Sequence, residues 1–141
     1  MARRYEFKEH TADIIAQAHG DTLEDAFASA AHAMFDLLTD GSEISGNDAV
    51  EFEVESIDLD GLLVGFLSEL IVLHEADALV FHDFKVEFID DKRLKATALG
   101  EPFDLSKHGG GTQVKGISYH LLEIQRGDAG GPVSIQVLFD I

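Results

Sequence analysis

Apolar and polar positions recur along this chain with two periods, and the change from one to the other marks its elements. Tyr5 to His10 and Asp13 to Ala18 read as short strands, the second closed by Gly20. Asp21 to Glu24 has the spacing of a capping box with Asp in the Ser/Thr position. It opens a helix in which Leu23, Phe27, Ala30, Ala31, Met34 and Leu38 return at steps of three and four. Thr39 to Asn47, rich in Gly and Ser, is a loop. Val50, Phe52 and Val54 then alternate with Glu51, Glu53 and Glu55, the mark of a strand with one wet face. Asp58 or Asp60 caps a second helix, with Leu62, Leu63, Phe66, Leu67, Leu70 and Ile71 directed inward. Phe84, Val86 and Phe88 alternate again, Asp90-Asp91 turns the chain, and Leu94, Ala96 and Ala98 complete a hairpin.

Gly100 to Thr112, with Pro102 and the run Gly109 to Gly111, is irregular and is expected to be a mobile functional loop. Two last strands, about Val114 to Gln125 and Val133 to Phe139, flank the turn from Gly127 to Pro132. Strands outnumber helices and each long helix lies between strands. The predicted class is α+β, with a largely antiparallel sheet and two main helices. The order of elements hints at two related modules, although no sequence repeat establishes them.

Composition narrows the function. The 141 residues include no cysteine, which removes disulfides, thiolate catalysis and cysteine-bound zinc. The N-terminus MARRYEF has no apolar signal core, and no run approaches the roughly 20 apolar residues of a membrane span. A soluble, cytoplasmic chain is expected. Ten Lys and Arg against 27 Asp and Glu give a formal net charge of -17. Such a surface repels phosphate backbones and argues against direct RNA binding. It suits plain solubility, and equally a protein that binds cations or a basic partner.

The chemistry-bearing residues are few. His10-Thr11-Ala12-Asp13 joins the first two strands, and its imidazole and carboxylate can face one cleft; the bland alternative is a turn hydrogen bond beside an exposed histidine. Val133, Ile135, Val137 and Phe139 share one parity, so Asp140 falls on the opposite face. Ile141 adds a main-chain carbonyl and a terminal carboxylate. Asp13, Asp140 and Ile141 together would form an all-oxygen site suited to Ca²⁺, Mg²⁺ or Mn²⁺. Such a site requires an early strand beside the last one, and the alternative is a solvated tail. Lys115, with Tyr119 and His120 farther along the same strand, could meet a phosphate or an acidic partner, or be a plain exposed lysine. No Ser or Thr follows Lys115, so the glycines before it are not a P-loop. The histidines, at positions 10, 19, 32, 74, 82, 108 and 120, show no zinc spacing. His74-Glu75 lacks the second histidine of a metalloprotease motif, because position 78 is Ala; an imidazole there suits the helix dipole instead.

Several segments in order resemble the archease family. They are His10 to Ile14, Thr22 to Phe27, Met34 to Asp40, Leu62-Leu63 through Leu70, Gly100 to Asp104, Val114 to His120 and Asp140-Ile141. The resemblance runs essentially end to end, across a single domain at 1–141. It implies strand-helix-strand-strand modules, one inserted in the other at roughly 48–100. It also implies a protein cofactor, not itself an enzyme, of the RtcB-type tRNA-splicing ligase, whose GTP- and metal-dependent guanylylation and multiple turnover it promotes. Carried over by motif, Asp13, Asp140 and the Ile141 carbonyl hold the metal (Ca²⁺ in isolation, Mn²⁺ or Mg²⁺ otherwise), and Lys115 is needed for activation. His10, Tyr119 and His120 are accessory candidates. GTP is used by the partner ligase. Gly116 and Ser118 stand where Ala and Thr are expected, and Gly65 where a larger residue is usual. The rival readings are a metal-dependent phosphohydrolase and an RNA-binding or chaperone-like module.

Overall fold

The computed structural model describes residues 5–10, 13–127 and 131–141. Among the described residues, seven strands form two antiparallel sheets. The first has the order β1-β2-β7-β6, from β1 (Tyr5–His10), β2 (Asp13–Gly20), β6 (Gly116–Arg126) and β7 (Val133–Asp140). The second has the order β3-β5-β4, from β3 (Asp48–Glu55), β4 (Leu79–Asp90) and β5 (Arg93–Pro102). Helix α1 (Leu23–Thr39) precedes β3, α2 (Leu59–Asp77) joins β3 to β4, and a short α3 (Leu105–His108) precedes β6. The fold is α+β, and the second sheet with α2 occupies the chain between α1 and α3.

Both long helices are shared between the sheets. α1 touches β2 and β7 of the first and β4 of the second, while α2 touches β6 of the first and all three strands of the second. Period alone predicts one buried stripe on α1. Burial extends further, taking in Ala26, Ala28, Ser29, Ala33 and Phe35 as well, because the helix is covered on more than one side. Alanines let the backbone approach the sheets, and Phe35 anchors it against Phe81 and Phe84 at centroid distances of 5.5 and 5.8 Å. Phe27 does the same toward Phe66 and Phe88.

The cap of α1 lies one residue later than the sequence pattern suggests. Thr22, not Asp21, is the N-cap, and its hydroxyl accepts the Asp25 N–H at 3.1 Å. At α2 the cap is Asp58, which accepts from Gly61 N–H at 2.8 Å. Gly65 has a packing reason: a Cβ there would lie 2.6 Å from Val54 Cγ1, so the missing methyl lets α2 settle on β3. His74 is also structural, its Nδ1–H donating to Leu79 O at 2.8 Å and its ring edge-on to Phe35 and Phe103.

Residues 100–112 are not a free loop. Glu101 accepts from Ser45 N–H at 2.8 Å and from Lys107 Nζ at 2.9 Å, and it meets buried His108 Nε2 at 3.0 Å. Asp104 N–H donates to His108 Nδ1 at 2.9 Å, so Nε2 carries the hydrogen that Glu101 accepts. These bonds hold the Glu101 carboxylate down at about 2, the Ser45 N–H contributing most and Lys107 next. Thr112 N–H closes the segment on Leu37 O at 2.8 Å. Glycine count suggested mobility; the Glu101 carboxylate ties the segment to Ser45 in the loop after α1, and the Thr112 main chain ties it to α1.

Candidate functional site

β2 and β7 are neighbours, and their register sets Asp13 directly opposite Asp140. The same row continues to His10 on β1 and to Gly116 on β6. With strands about 4.8 Å apart, the four positions cross roughly 14 Å at one end of the first sheet. Val133, Ile135, Val137 and Phe139 are buried toward the helices, as parity requires, and Asp140 is exposed on the other face. Asp13 is half-buried. Thr11 and Ala12 lie outside the described residues, and His10 is placed here by its backbone alone.

Cβ atoms directly opposed across an antiparallel pair are about 4.5–5.5 Å apart, and like charges there repel. A cation between two such facing carboxylates would offset that repulsion. Lys115 comes in through its main chain: its N–H donates to Asp140 O at 2.7 Å, and the residue is exposed just before β6 begins. The oxygens gathered at this corner are those of the two carboxylates and the Ile141 main chain. This is a hard, all-oxygen set, which fits Ca²⁺, Mg²⁺ or Mn²⁺ and not a softer metal. Among the described residues no group of three or more His, Asp or Glu converges, so main-chain oxygen or water would complete any coordination shell.

Tyr119 and His120 do not continue a regular strand from Lys115. Register with β7 holds at Ser118 opposite Leu138 and resumes at Glu123 opposite Gln136. Four residues, 119–122, thus face the single Val137, and β6 bulges outward. Leu121 has φ 62°, a left-handed backbone that a bulky side chain seldom adopts. Two bonds brace it: Gln136 Nε2 donates to Leu121 O at 2.9 Å, and His120 N–H donates to Ser118 Oγ at 3.0 Å. Gln136 is itself held, its Oε1 accepting from Gln17 Nε2 at 3.1 Å. Sequence reasoning passed over Gln17, Gln136 and Leu121. The signal was present: core-packed positions switch from Ile117 to Leu122 and Ile124, a change of parity that requires extra residues between them.

With this geometry in hand, likeness to known proteins becomes informative. Residues 5–141 match the model of the Archease protein family (MTH1598/TM1083). A protein archease from Methanosarcina barkeri is 42% identical over 145 aligned positions, covering 100% of this chain and 98% of that one. The chain belongs to the archease family. Protein 1598 of Methanobacterium thermoautotrophicum, solved in solution, superposes with a TM-score of 0.76 at 33% identity, covering 99% of this chain and 100% of that one. A crystal structure from Thermotoga maritima, described as an archease and possible chaperone, gives a TM-score of 0.59 at 20% identity over 95% of this chain and 94% of that one. At that identity the likeness speaks for the archease fold alone. Among the described residues no helix is long and apolar enough to cross a membrane.

Proposed function

We propose that this archease is a protein cofactor of an RtcB-type tRNA-splicing ligase, promoting the ligase's guanylylation by GTP and so its multiple turnover. The observation that carries the reading is the pairing of Asp13 with Asp140 at the exposed end of β2 and β7, with Ile141 and Lys115 beside them. Two carboxylates that face each other across β2 and β7 suit the binding of a divalent cation. When bound, that ion would supply positive charge for phosphate oxygens at the partner's nucleotide site. The chain's own part is to hold the two carboxylates in register by β2–β7 pairing and to fix Asp140 through Lys115 N–H. Lys115, tied to Asp140 through its main chain and exposed, carries an ammonium that can meet a phosphate or a carboxylate of the partner.

The net charge of -17 supports a basic protein partner over direct contact with RNA. The test is transfer of label from α-labelled GTP to the ligase, with Mn²⁺, in the presence of wild-type protein, Asp13→Ala, Asp140→Ala or Lys115→Ala. The expected result is faster labelling with wild type and at least about a ten-fold loss with each variant. Equal stimulation by the folded carboxylate variants would remove the acidic row from the function.

A further inference from the structure

The bulge on β6 lies outside the carboxylate pair, and it joins a left-handed backbone at Leu121 to two exposed apolar side chains. Tyr119 is 62% exposed and Leu121 42% exposed, two large side chains on one short segment. Among the other exposed large apolar residues of the described chain, Ile57, Val72, Ile89 and Leu105 lie on separate segments, and Phe7 on β1 has its ring against Tyr5. A bulge that only blunted the edge strand would be better served by charged tips. Here the backbone is instead held in a left-handed conformation at Leu121 by a chain of amides, Gln17 to Gln136 to the Leu121 carbonyl. Strain kept in place by dedicated bonds, with apolar groups at its crest, is the mark of a surface shaped for contact.

Its position says what kind of contact. The bulge begins at Ser118, opposite Leu138, two residues along β7 from Asp140, which is roughly 7 Å. The apolar crest and the acidic row therefore lie on neighbouring parts of one sheet edge, with Glu123 at the far side of the bulge. We propose that residues 119–122 form a docking knob, in which Tyr119 and Leu121 enter an apolar pocket of a folded protein whose rim carries Lys and Arg side chains. Charge complementarity selects such a partner, since the basic rim would face Asp13, Asp140 and Glu123. The inference rests on the proposed function in taking that partner to be the ligase. The knob would then set the register in which Asp13 and Asp140 meet the ligase, and Tyr119 with its rigid ring is the anchor.

The experiment measures the Kd of dye-labelled protein for purified RtcB-type ligase by fluorescence anisotropy, alongside stimulation of ligation. The variants are Tyr119→Ser/Leu121→Gly and, as a control, Ile57→Ser. Glycine at 121 keeps the left-handed backbone, so the double variant loses the side chains and not the bulge. Thermal melting checks that all the proteins fold. The expected result is a Kd weakened by at least about ten-fold in the double variant, against less than about two-fold in the control. If the wild type stimulates the ligase and the double variant binds as tightly, the knob is overturned and the proposed function stands. If the wild type neither binds nor stimulates, the function falls and the knob with it. Wild-type self-association abolished in the double variant would assign the knob to a second copy of this chain and also overturn the proposal.

Discussion

Replacing Asp140 by Asn should change stability in opposite directions with and without a divalent cation. Asp13 and Asp140 face each other across β2 and β7, which sets their Cβ atoms about 5 Å apart at the end of the sheet. In water, two unit charges at that distance repel by about 0.8 kcal/mol. Physiological salt roughly halves this, to about 0.4 kcal/mol. Asn has the same shape and no charge, so in EDTA the variant should melt about 1–2 °C above wild type. A cation held by both carboxylates reverses the balance. At about 100 times its Kd, a ligand confined to the folded state contributes about 2.7 kcal/mol, or roughly 10 °C for a chain of this size. Wild type titrated with Mn²⁺, Mg²⁺ or Ca²⁺ should rise by that order, and Asp140→Asn should not. Differential scanning calorimetry in EDTA and in each metal reads both signs, with the exposed Glu87→Gln as control. A variant that melts lower in EDTA and keeps the full metal shift would refute the facing-carboxylate argument.

Three further expectations concern the scaffold. Gly65→Ala gains about 1 kcal/mol of helix propensity, but its methyl would meet Val54 Cγ1 at 2.6 Å. Overpacking of that kind costs about 1–3 kcal/mol, so the variant should lose about 1 kcal/mol in urea unfolding. Adding Val54→Ala should relieve the clash, and strictly additive effects would show that the contact is loose. Ala78 closes α2 with φ 53° and is exposed, so Ala78→Gly should stabilise by about 1 kcal/mol; a lower melting temperature would contradict this. Glu101 titrates at about 2 in the fold against an ordinary 4.5, chiefly through the Ser45 N–H and then Lys107. The unfolded chain binds that proton first, so the stability it contributes is complete above about 4.5 and is lost as pH falls toward about 2. Glu101→Gln should flatten the acid limb of stability over that window, and an unchanged limb would remove Glu101 as its cause.

What the sequence revealed and what it hid follow from the range of each interaction. Alternation in β3 and β4 and the apolar stripe of α2 are local, and each matches the structure, with the buried set Leu62, Leu63, Phe66, Leu67, Leu70 and Ile71 intact. Parity placed Asp140 on the face opposite Phe139, which is also local. That β2 lies beside β7 is a pairing across most of the chain, and no pattern within either strand encodes it. The wide burial of α1 was hidden because alanine is as common on wet helices as on covered ones. The segment 100–112 was misread because its order comes from Ser45 and Leu37, far away in sequence. At Thr22 two capping residues stand side by side, and only geometry chooses between them.

The most direct test of the central claim counts products. RNA with 2′,3′-cyclic phosphate and 5′-hydroxyl ends, GTP, Mn²⁺ and a limiting amount of RtcB-type ligase are incubated with and without this protein, and ligated molecules per ligase are followed over time. The expected result is that the ligase alone stalls near one product per enzyme, while wild-type protein carries it through many and Asp13→Ala does not. A ligase whose turnover number is the same with folded wild-type protein, with Asp13→Ala and with neither would contradict the account.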